Sequence, residues 1–139
     1  MSVLSAFLEP EYTQETVDVI VGERFIDKET GKPVPFKIRT LTQAEMSSIR
    51  KRSLVTKSVD GRKYQEVDND LFLCNCLVEG VVSPDLKNAQ LCERYGTVNP
   101  ADVPRNMLLG KEFERLGRAF MELNGIGEDS PELGEISKN

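Results

Sequence analysis

The sequence predicts an α+β fold, in which an N-terminal antiparallel β-hairpin is followed by a predominantly helical C-terminal part. Apolar and polar residues alternate in two early segments, Thr16–Phe25 and Phe36–Thr40, as in strands with one buried face. From Gln43 onward, apolar residues mostly recur at helical spacing, and helix caps and stops separate the runs. The 139 residues are enough to bury a core without metal or disulfides, so a single domain is predicted over residues 1–125.

The first elements are a short apolar segment and two strands. Ser2–Leu8 is predicted to form a short turn or helix with its apolar side chains on one side. The strands Thr16–Phe25 and Phe36–Thr40 flank the turn signal Asp27–Lys32, in which Gly31 is available for positive φ. The two strands are therefore expected to pair as a hairpin.

The second strand is predicted to lead directly into a helix. Thr42 is a suitable N-cap, and Glu45 stands at the third helical position, from which its carboxylate can reach back to the Thr42 amide. Leu41 and Met46 are placed to make the hydrophobic contact that often accompanies this capping box. The helix is predicted over about Gln43–Ser53.

The segment Leu54–Val67 is open to two interpretations. Asp60-Gly61 is a turn signal, so the segment fits a small second hairpin. Its apolar residues Val55, Val59 and Tyr64 would line that hairpin. A flexible excursion from the domain fits the same residues equally well.

The helix that follows is predicted over Asp68–Val82, with Pro84 ending it. Its last turn is expected to fray, because Glu79-Gly80 is a weak helical pair. The predicted apolar face consists of Leu71, Cys74, Leu77, Val78 and Val81.

The C-terminal third is predicted to contain three further helices. The first, Lys87–Tyr95, is stopped by a glycine, and the second runs from Pro100 to Gly110 after an Asn cap. The last, Lys111–Leu123, should dock on the body of the domain through an apolar stripe. That stripe is formed by Phe113, Leu116, Phe120 and Leu123. Residues 126–139 are predicted to be a disordered acidic tail.

The composition argues against an enzyme. Histidine is absent, which removes the commonest general base and metal ligand. No Gly-rich phosphate loop or calcium-loop pattern is present in the sequence. Cys74, Cys76 and Cys92 form no C-x-x-C pair and are interpreted as small apolar residues in a reducing compartment. The sequence therefore predicts no catalytic, metal-binding or cofactor-binding residues.

Charge and hydropathy also limit the partners. The net charge of −5 argues against nucleic acid as a main partner, because duplex binding normally requires a basic face. No apolar run is long enough to cross a bilayer, and the N-terminus lacks the basic region of a signal peptide. A soluble, cytoplasmic protein without membrane contact is therefore expected.

Two surfaces are candidates for partner binding. The first, called here the basic cluster, holds a third of the basic residues of the chain: Arg50, Lys51, Arg52, Lys57, Arg62 and Lys63. It fits a solvated helix end, because cations near the C-terminus of a helix interact favourably with the helix dipole. It also fits a docking site for an acidic partner, or a self-association contact with the acidic N-terminal residues Glu9, Glu11, Glu15 and Asp18. Nucleic acid fits less well, because only Tyr64 interleaves with these charges.

The second candidate surface is the apolar N-terminal segment with Leu4, Phe7 and Leu8. These side chains either fold back onto the core or act as a hydrophobic anchor for another copy or a client protein.

Several segments together carry a resemblance to a known family. They are LSAFLEP (Leu4–Pro10), GERFID (Gly22–Asp27), GKPVPFKIRTLTQAE (Gly31–Glu45), SPDL (Ser83–Leu86), RYG (Arg94–Gly96), NMLLGKEFERL (Asn106–Leu116) and ELNG (Glu122–Gly125). In this order they resemble the XkdN-like tail assembly chaperones of phages and phage-like particles of Gram-positive bacteria. The loop 54–67 and the tail after Gly125 are less typical, so nothing is transferred to them.

The resemblance implies a chaperone of tail assembly. Such a protein would bind the tape measure protein in the host cytoplasm, help recruit tail tube proteins, and be absent from the mature particle. The resemblance also implies that translational frameshifting makes a second, longer product from the same gene. The alternative is a structural tail component, such as a tube, connector or baseplate protein. Longer strands would be expected for that role, whereas the predicted regular strands are confined to the first third of the chain.

Overall fold

The computed structural model describes residues 3–127, which form helices and two small antiparallel sheets. The helices are α1 Val3–Leu8, α2 Gln43–Arg52, α3 Asn69–Gly80, α4 Ala89–Arg94, α5 Val103–Met107 and α6 Gly110–Leu123, and a 3₁₀ turn spans Pro100–Asp102. The strands are β1 Thr16–Val19, β2 Phe36–Arg39, β3 Leu54–Val59, β4 Arg62–Val67 and β5 Val81–Ser83. The α+β class predicted from the sequence is thus confirmed.

The first sheet has the strand order β1-β2-β5. Strand β2 alternates as predicted, because Phe36 and Ile38 are buried while Lys37 is exposed. Its antiparallel pairing with β1 confirms the first hairpin. Strand β1 ends at Val19, so the prediction that it continues to Phe25 was wrong. Beyond Val19 the chain packs against the helical body, where Val21 is buried and its carbonyl accepts a hydrogen bond from Arg115 of α6 at 2.6 Å.

The third strand of this sheet corrects the predicted helix Asp68–Val82. Helix α3 ends at Gly80, and Val81–Ser83 pairs with β2 instead of continuing the helix. Val81 and Val82 are β-branched and fit a strand, whereas Gly80 disfavours helix continuation. A hairpin followed only by helices therefore describes the fold incompletely, since a strand from the middle of the chain completes the sheet.

The second sheet is the hairpin of β3 and β4, which decides between the two interpretations of Leu54–Val67. Asp60 and Gly61 form its turn, with φ of 51° and 79°. Both values lie in the left-handed region that two-residue hairpin turns require. The strands pair from Leu54 opposite Val67 to Val59 opposite Arg62.

The helix boundaries mostly follow their predicted caps. Thr42 and Glu45 form the predicted capping box at the start of α2. The helix predicted over Pro100–Gly110 is instead a 3₁₀ turn followed by α5, which ends at Met107 because Leu108 is extended at ψ 140°. In α6, Leu116 and Phe120 are fully buried, which confirms the docking stripe.

The core surrounds α3, which is buried on more sides than the sequence predicted. Cys76 lies outside the predicted apolar face but is fully buried, as are Phe72 and Leu77. Ile126 packs against this core, and its amide donates to the Met121 carbonyl at 2.8 Å, so the start of the predicted tail belongs to the folded body. Residues 128–139, the rest of that tail, lie outside the described residues, and the domain boundary at residue 125 stays a prediction.

Candidate interaction surfaces

The basic cluster extends from the last turn of α2 onto the β3–β4 hairpin. Lys51 and Arg52 are exposed, whereas Arg50 is half-buried. Arg52 approaches Glu79 of α3 with 3.4 Å between NH1 and Oε1. Lys57 approaches Glu66 of the neighbouring strand at 2.5 Å, and this contact raises the pKa of Lys57. The cluster is therefore partly neutralised by carboxylates of the same chain.

The register of the hairpin divides its charges between two faces. Residues directly opposite each other in an antiparallel pair project from the same face. Lys57 pairs with Tyr64 and Val59 with Arg62, so these four share one face. Lys63 pairs with Ser58 on the other face. One face thus combines two cations with two partly exposed apolar side chains, since Val59 is 54% and Tyr64 42% exposed.

The base of this hairpin is fixed between α2 and α3. The Asp68 amide donates to the Ser53 carbonyl at 2.8 Å, which joins the two ends of the hairpin. The fully buried Ser53 hydroxyl donates to the Ile49 carbonyl at 2.7 Å and accepts from the Asn75 side chain at 3.1 Å. The hairpin therefore projects its turn from a rigid base.

The apolar N-terminal segment does not fold back onto the core. Helix α1 has no buried residue, and Leu4, Phe7 and Leu8 are 62%, 77% and 70% exposed. Val3 adds a fourth exposed apolar side chain, at 77%. Of the two possibilities left by the sequence, the structure has the exposed arrangement. The partner-binding roles of this segment and of the basic cluster stay predictions.

The connection from α1 to the sheet is exposed and anchored only at its end. Residues 9–15 are all exposed. Thr40, which follows β2, holds Glu15 by two hydrogen bonds: its amide donates to the Glu15 carbonyl, and its hydroxyl accepts from the Glu15 amide, each at 2.9 Å. The first 23 residues contain five carboxylates and no lysine or arginine. We refer to residues 3–14 as the N-terminal arm, which is apolar at its start and acidic after Leu8.

An ion pair between a partly exposed arginine and a buried carboxylate, which the sequence did not reveal, fixes the loop between β1 and β2. Glu112 is 1% exposed and accepts from Arg24 Nε at 2.9 Å and from the Leu109 amide at 2.8 Å. Arg24 also donates to the Met107 carbonyl at 3.0 Å. The hydrogen bond from Arg24 lowers the pKa of the Glu112 carboxyl. The sequence offered one signal for the role of Glu112, which is its position in the first turn of a predicted helix.

Asn124 was predicted only as part of a helix stop, but it also joins the end of α6 to the strand–helix junction. Its side chain accepts from the Leu41 amide at 2.8 Å and donates to the carbonyls of Arg39 and Phe120 at 3.3 and 3.1 Å. The residue thus fixes the docking of α6 against the start of α2.

All three cysteines are buried and none of them forms a disulfide, as their interpretation as apolar residues requires. Arg105 Nε donates to Cys74 Sγ at 3.4 Å, yet burial has the larger effect and raises the pKa of the Cys74 thiol. Over residues 3–127, no three His, Cys, Asp or Glu side chains gather closely enough for a metal ion. None of the helices described there is long and apolar enough to cross a membrane.

A third surface feature, a shallow depression of about 800 Å³, lies beside α4. Cys92, Thr97, Val98 and Pro100 contribute to its lining, and the Val98 side chain is almost completely exposed at 99%. Lys87 and Glu93 add one charge of each sign at its rim. The depression is mainly apolar and open to solvent.

Comparisons with known proteins agree on one family. The family model described as phage XkdN-like tail assembly chaperone protein matches residues 4–137. Protein YqbN of Bacillus subtilis (strain 168) is 34% identical over 127 residues, which cover 90% of this chain and 85% of YqbN. The phage-like element PBSX protein XkdN of the same strain is 29% identical over 127 residues, with the same coverage of both chains.

A solved structure supports the fold as well. The crystal structure of YqbN superposes with a TM-score of 0.71 at 30% sequence identity. The superposition covers 88% of this chain and 96% of the YqbN chain.

Proposed function

The chain belongs to the phage XkdN-like tail assembly chaperone family, and from this membership we propose that it binds the tape measure protein and helps recruit tail tube subunits. The observation that carries the proposal is the extent of the family match, from residue 4 to residue 137. The proposed site of action is the cytoplasm of the bacterial host, and the protein would leave before the particle is mature.

The exposed surfaces of the chain are compatible with this role. A chaperone that keeps a long, partly apolar client soluble needs apolar surface that is open to the client. Helix α1 presents such surface with Leu4, Phe7 and Leu8, and the hairpin adds Val59 and Tyr64 between cations. We propose binding alone for this chain, without a catalytic step and without a cofactor.

Co-expression with the tape measure protein of the same phage tests the proposal. The chain should increase the soluble fraction of the tape measure protein and co-purify with it. A matched variant in which Phe7 and Leu8 are replaced by serine should retain its fold, because α1 buries no residue. If the wild-type chain leaves the tape measure protein insoluble and does not co-purify, the proposed client is wrong.

A structural tail component remains the rival function, and the structure changes one argument against it. Strands are not confined to the first third of the chain, since β3, β4 and β5 lie between residues 54 and 83. The strands of the described region are nevertheless short, with six residues at most. Mass spectrometry of purified tails separates the two functions. Stoichiometric recovery of the chain in mature particles would favour the structural role.

A further inference from the structure

The outer half of the β3–β4 hairpin presents a surface that no other part of residues 3–127 covers. Its two strands pair only with each other, and neither joins the β1-β2-β5 sheet. Val59 and Tyr64 stay exposed on this hairpin. An isolated two-stranded hairpin is only marginally stable in water, and exposed apolar side chains that lie together commonly mark a contact. A further segment is therefore expected to pack on the hairpin.

The charge of this surface favours an acidic occupant. Lys57, Val59, Arg62 and Tyr64 project from one side of the hairpin and are called here the hairpin face. Arg62 makes no ion pair within the part of the chain that the structure describes, and Lys57 forms one, with Glu66. The face therefore retains a net positive charge beside two apolar side chains.

Residues 128–139, called here the C-terminal segment, have the complementary chemistry. Their four carboxylates are those of Glu128, Asp129, Glu132 and Glu135. Lys138 is the one cation among these residues, and Leu133 and Ile136 stand between or beside the acids. The segment is thus acidic with two large aliphatic side chains, which matches the cations and the two apolar side chains of the hairpin face.

The end of α6 places the C-terminal segment within reach of the hairpin. Asn124 accepts from the Leu41 amide, so the chain leaves α6 beside the start of α2. Helix α2 has 10 residues and is therefore about 15 Å long, and the hairpin begins at its other end. Twelve extended residues span at most about 40 Å. The segment is therefore long enough to follow α2 and to reach the middle of the hairpin.

We propose that the C-terminal segment docks on the hairpin face of the same chain. Its carboxylates approach Lys57 and Arg62, and its aliphatic side chains cover Tyr64. The contact lies within one chain and requires no second copy. Salt weakens it, because the charges that make it are at the surface.

The docked segment covers the part of the hairpin that the proposed function offers to a client. Client and segment therefore compete for Tyr64 and the cations beside it, and the segment shields this apolar surface until a client displaces it. This consequence rests on the proposed function, whereas the docking itself does not.

Paramagnetic relaxation in the full-length chain tests the docking. A nitroxide is attached to a Ser137→Cys variant, in which the three native cysteines are buried and mass spectrometry confirms a single label. The label should cause loss of the amide signals of Lys57 and Tyr64. The signals of the turn Asp27–Lys32, which lies at the end of β2 remote from α2, should keep their intensity. High salt should restore the lost signals.

Isotope mixing shows whether the contact lies within one chain. Nitroxide-labelled ¹⁵N chains diluted with an excess of unlabelled, untagged chains should lose the same hairpin signals. Untagged ¹⁵N chains mixed with tagged chains that carry no isotope should keep them. Loss of signal only in the second mixture would place the contact between copies and overturn the proposal.

Charge variants of the tagged chain identify the two partners of the contact. A segment variant, Glu132→Lys with Glu135→Lys, should restore the hairpin signals. A face variant, Lys57→Gln with Arg62→Glu, should also restore them, and glutamine avoids a second carboxylate beside Glu66. Because the combined variant is again complementary in charge, it should lose the hairpin signals as the wild-type chain does.

A matched control places the same change of charge on α6. Lys111→Gln with Arg118→Glu alters two exposed cations that are nearer in the sequence to the segment than the hairpin is. This control should leave the loss of signal unchanged. The proposal is overturned if the tagged wild-type chain keeps all hairpin signals, or if the α6 control restores them as fully as the face variant.

A pull-down of the tape measure protein separates the docking from the proposed client. The segment variant should co-purify more tape measure protein than the wild-type chain does, because its hairpin face is uncovered. Equal amounts would overturn the competition between client and segment. No co-purification by either chain would instead overturn the proposed client, whatever the nitroxide shows.

Discussion

At the scale of single residues, Gly80 determines how closely α3 and α6 approach each other. A Cβ at this position would lie 2.4 Å from Cε2 of Phe120, closer than real Cβ contacts. Phe120 is fully buried, so its ring has little room to move. The glycine that weakens the end of α3 in the sequence is therefore required by packing in the structure.

We expect Gly80→Ala to destabilise the protein by about 2–3 kcal/mol, because it overpacks the core. Gly110→Ala is the matched control, since nothing lies within 4 Å of a Cβ there and φ is not positive. That control should be neutral or stabilising by up to about 1 kcal/mol. Urea unfolding of both variants measures the difference. Equal stability of the two variants would contradict the packing role of Gly80.

Glu45 links the cap of α2 to strand β2 and makes stability depend on pH. Its carboxylate lies 2.7 Å from Arg39 NH2 and accepts from the Thr42 amide at 2.9 Å. The hydrogen bond from Arg39 is the main cause that lowers the pKa of Glu45 to about 2. Because the pKa is lower in the folded state, the stabilisation is present above the unfolded pKa of about 4.3 and is lost as the pH falls through about 2.

Glu45→Gln should therefore lower the free energy of unfolding by about 1 kcal/mol at pH 7. This value is kept small because the ion pair with Arg39 is partly exposed to solvent. The difference in unfolding free energy between wild type and variant should become smaller as the pH falls below about 4. Unfolding free energies measured between pH 7 and pH 2.5 check this, with Glu114→Gln on the exposed face of α6 as a control. If the difference in unfolding free energy stayed constant over this range, the ionised Glu45 carboxylate would not be the source of the stabilisation.

At the scale of elements, α6 is attached to the body at both ends and along its apolar stripe. Glu112 binds Arg24 near its start, and Asn124 binds the β2–α2 junction at its end. The stripe residues are not equivalent, because Phe120 is fully buried and Phe113 is only half-buried. The helix is thus held by its second half more firmly than the apolar spacing alone indicates.

Phe120→Ala should destabilise the protein by about 3–4 kcal/mol, since it leaves a cavity against Gly80. Phe113→Ala should cost only about 1–2 kcal/mol, because less apolar surface returns to water. Thermal and urea unfolding of the two variants give the comparison. If Phe113→Ala lowered the stability more than Phe120→Ala, the stronger attachment of the second half of α6 would be contradicted.

At the scale of the whole molecule, one core joins segments from Val21 to Phe120, while the N-terminal arm contributes no buried residue. The arm is therefore accessory to a body that should be stable without its contacts. This arrangement separates surfaces for interaction from the residues that maintain the fold.

Deletion of residues 2–13 should accordingly change the Tm by no more than about 2 °C, because exposed positions contribute little to stability. Glu15 and its contacts with Thr40 are kept in this variant. Circular dichroism during heating measures the Tm. A large loss of stability would show that the arm packs on the body in solution.

The sequence by itself determined the features that depend on neighbouring residues. The capping box of Thr42 and Glu45, the alternation in β2 and the apolar stripe of α6 follow from local spacing and backbone preferences. Asp60-Gly61 was a turn signal, but the structure decided that its segment is a hairpin. The residues of both candidate surfaces are exposed in the structure, except that Arg50 is half-buried, and their role in partner binding stays a prediction.

Only the tertiary structure decided the features whose partners lie far apart in the chain. Val81–Ser83 became a strand because β2 offers a free edge. The chain after β1 follows the helical body, where Arg115 donates to the Val21 carbonyl. Arg24 and Glu112 are 88 residues apart, and a sequence with many carboxylates does not indicate which one an arginine meets. The placement of Lys57 and Arg62 on one face of the β3–β4 hairpin likewise depended on register, since a shift of one residue would put them on opposite faces.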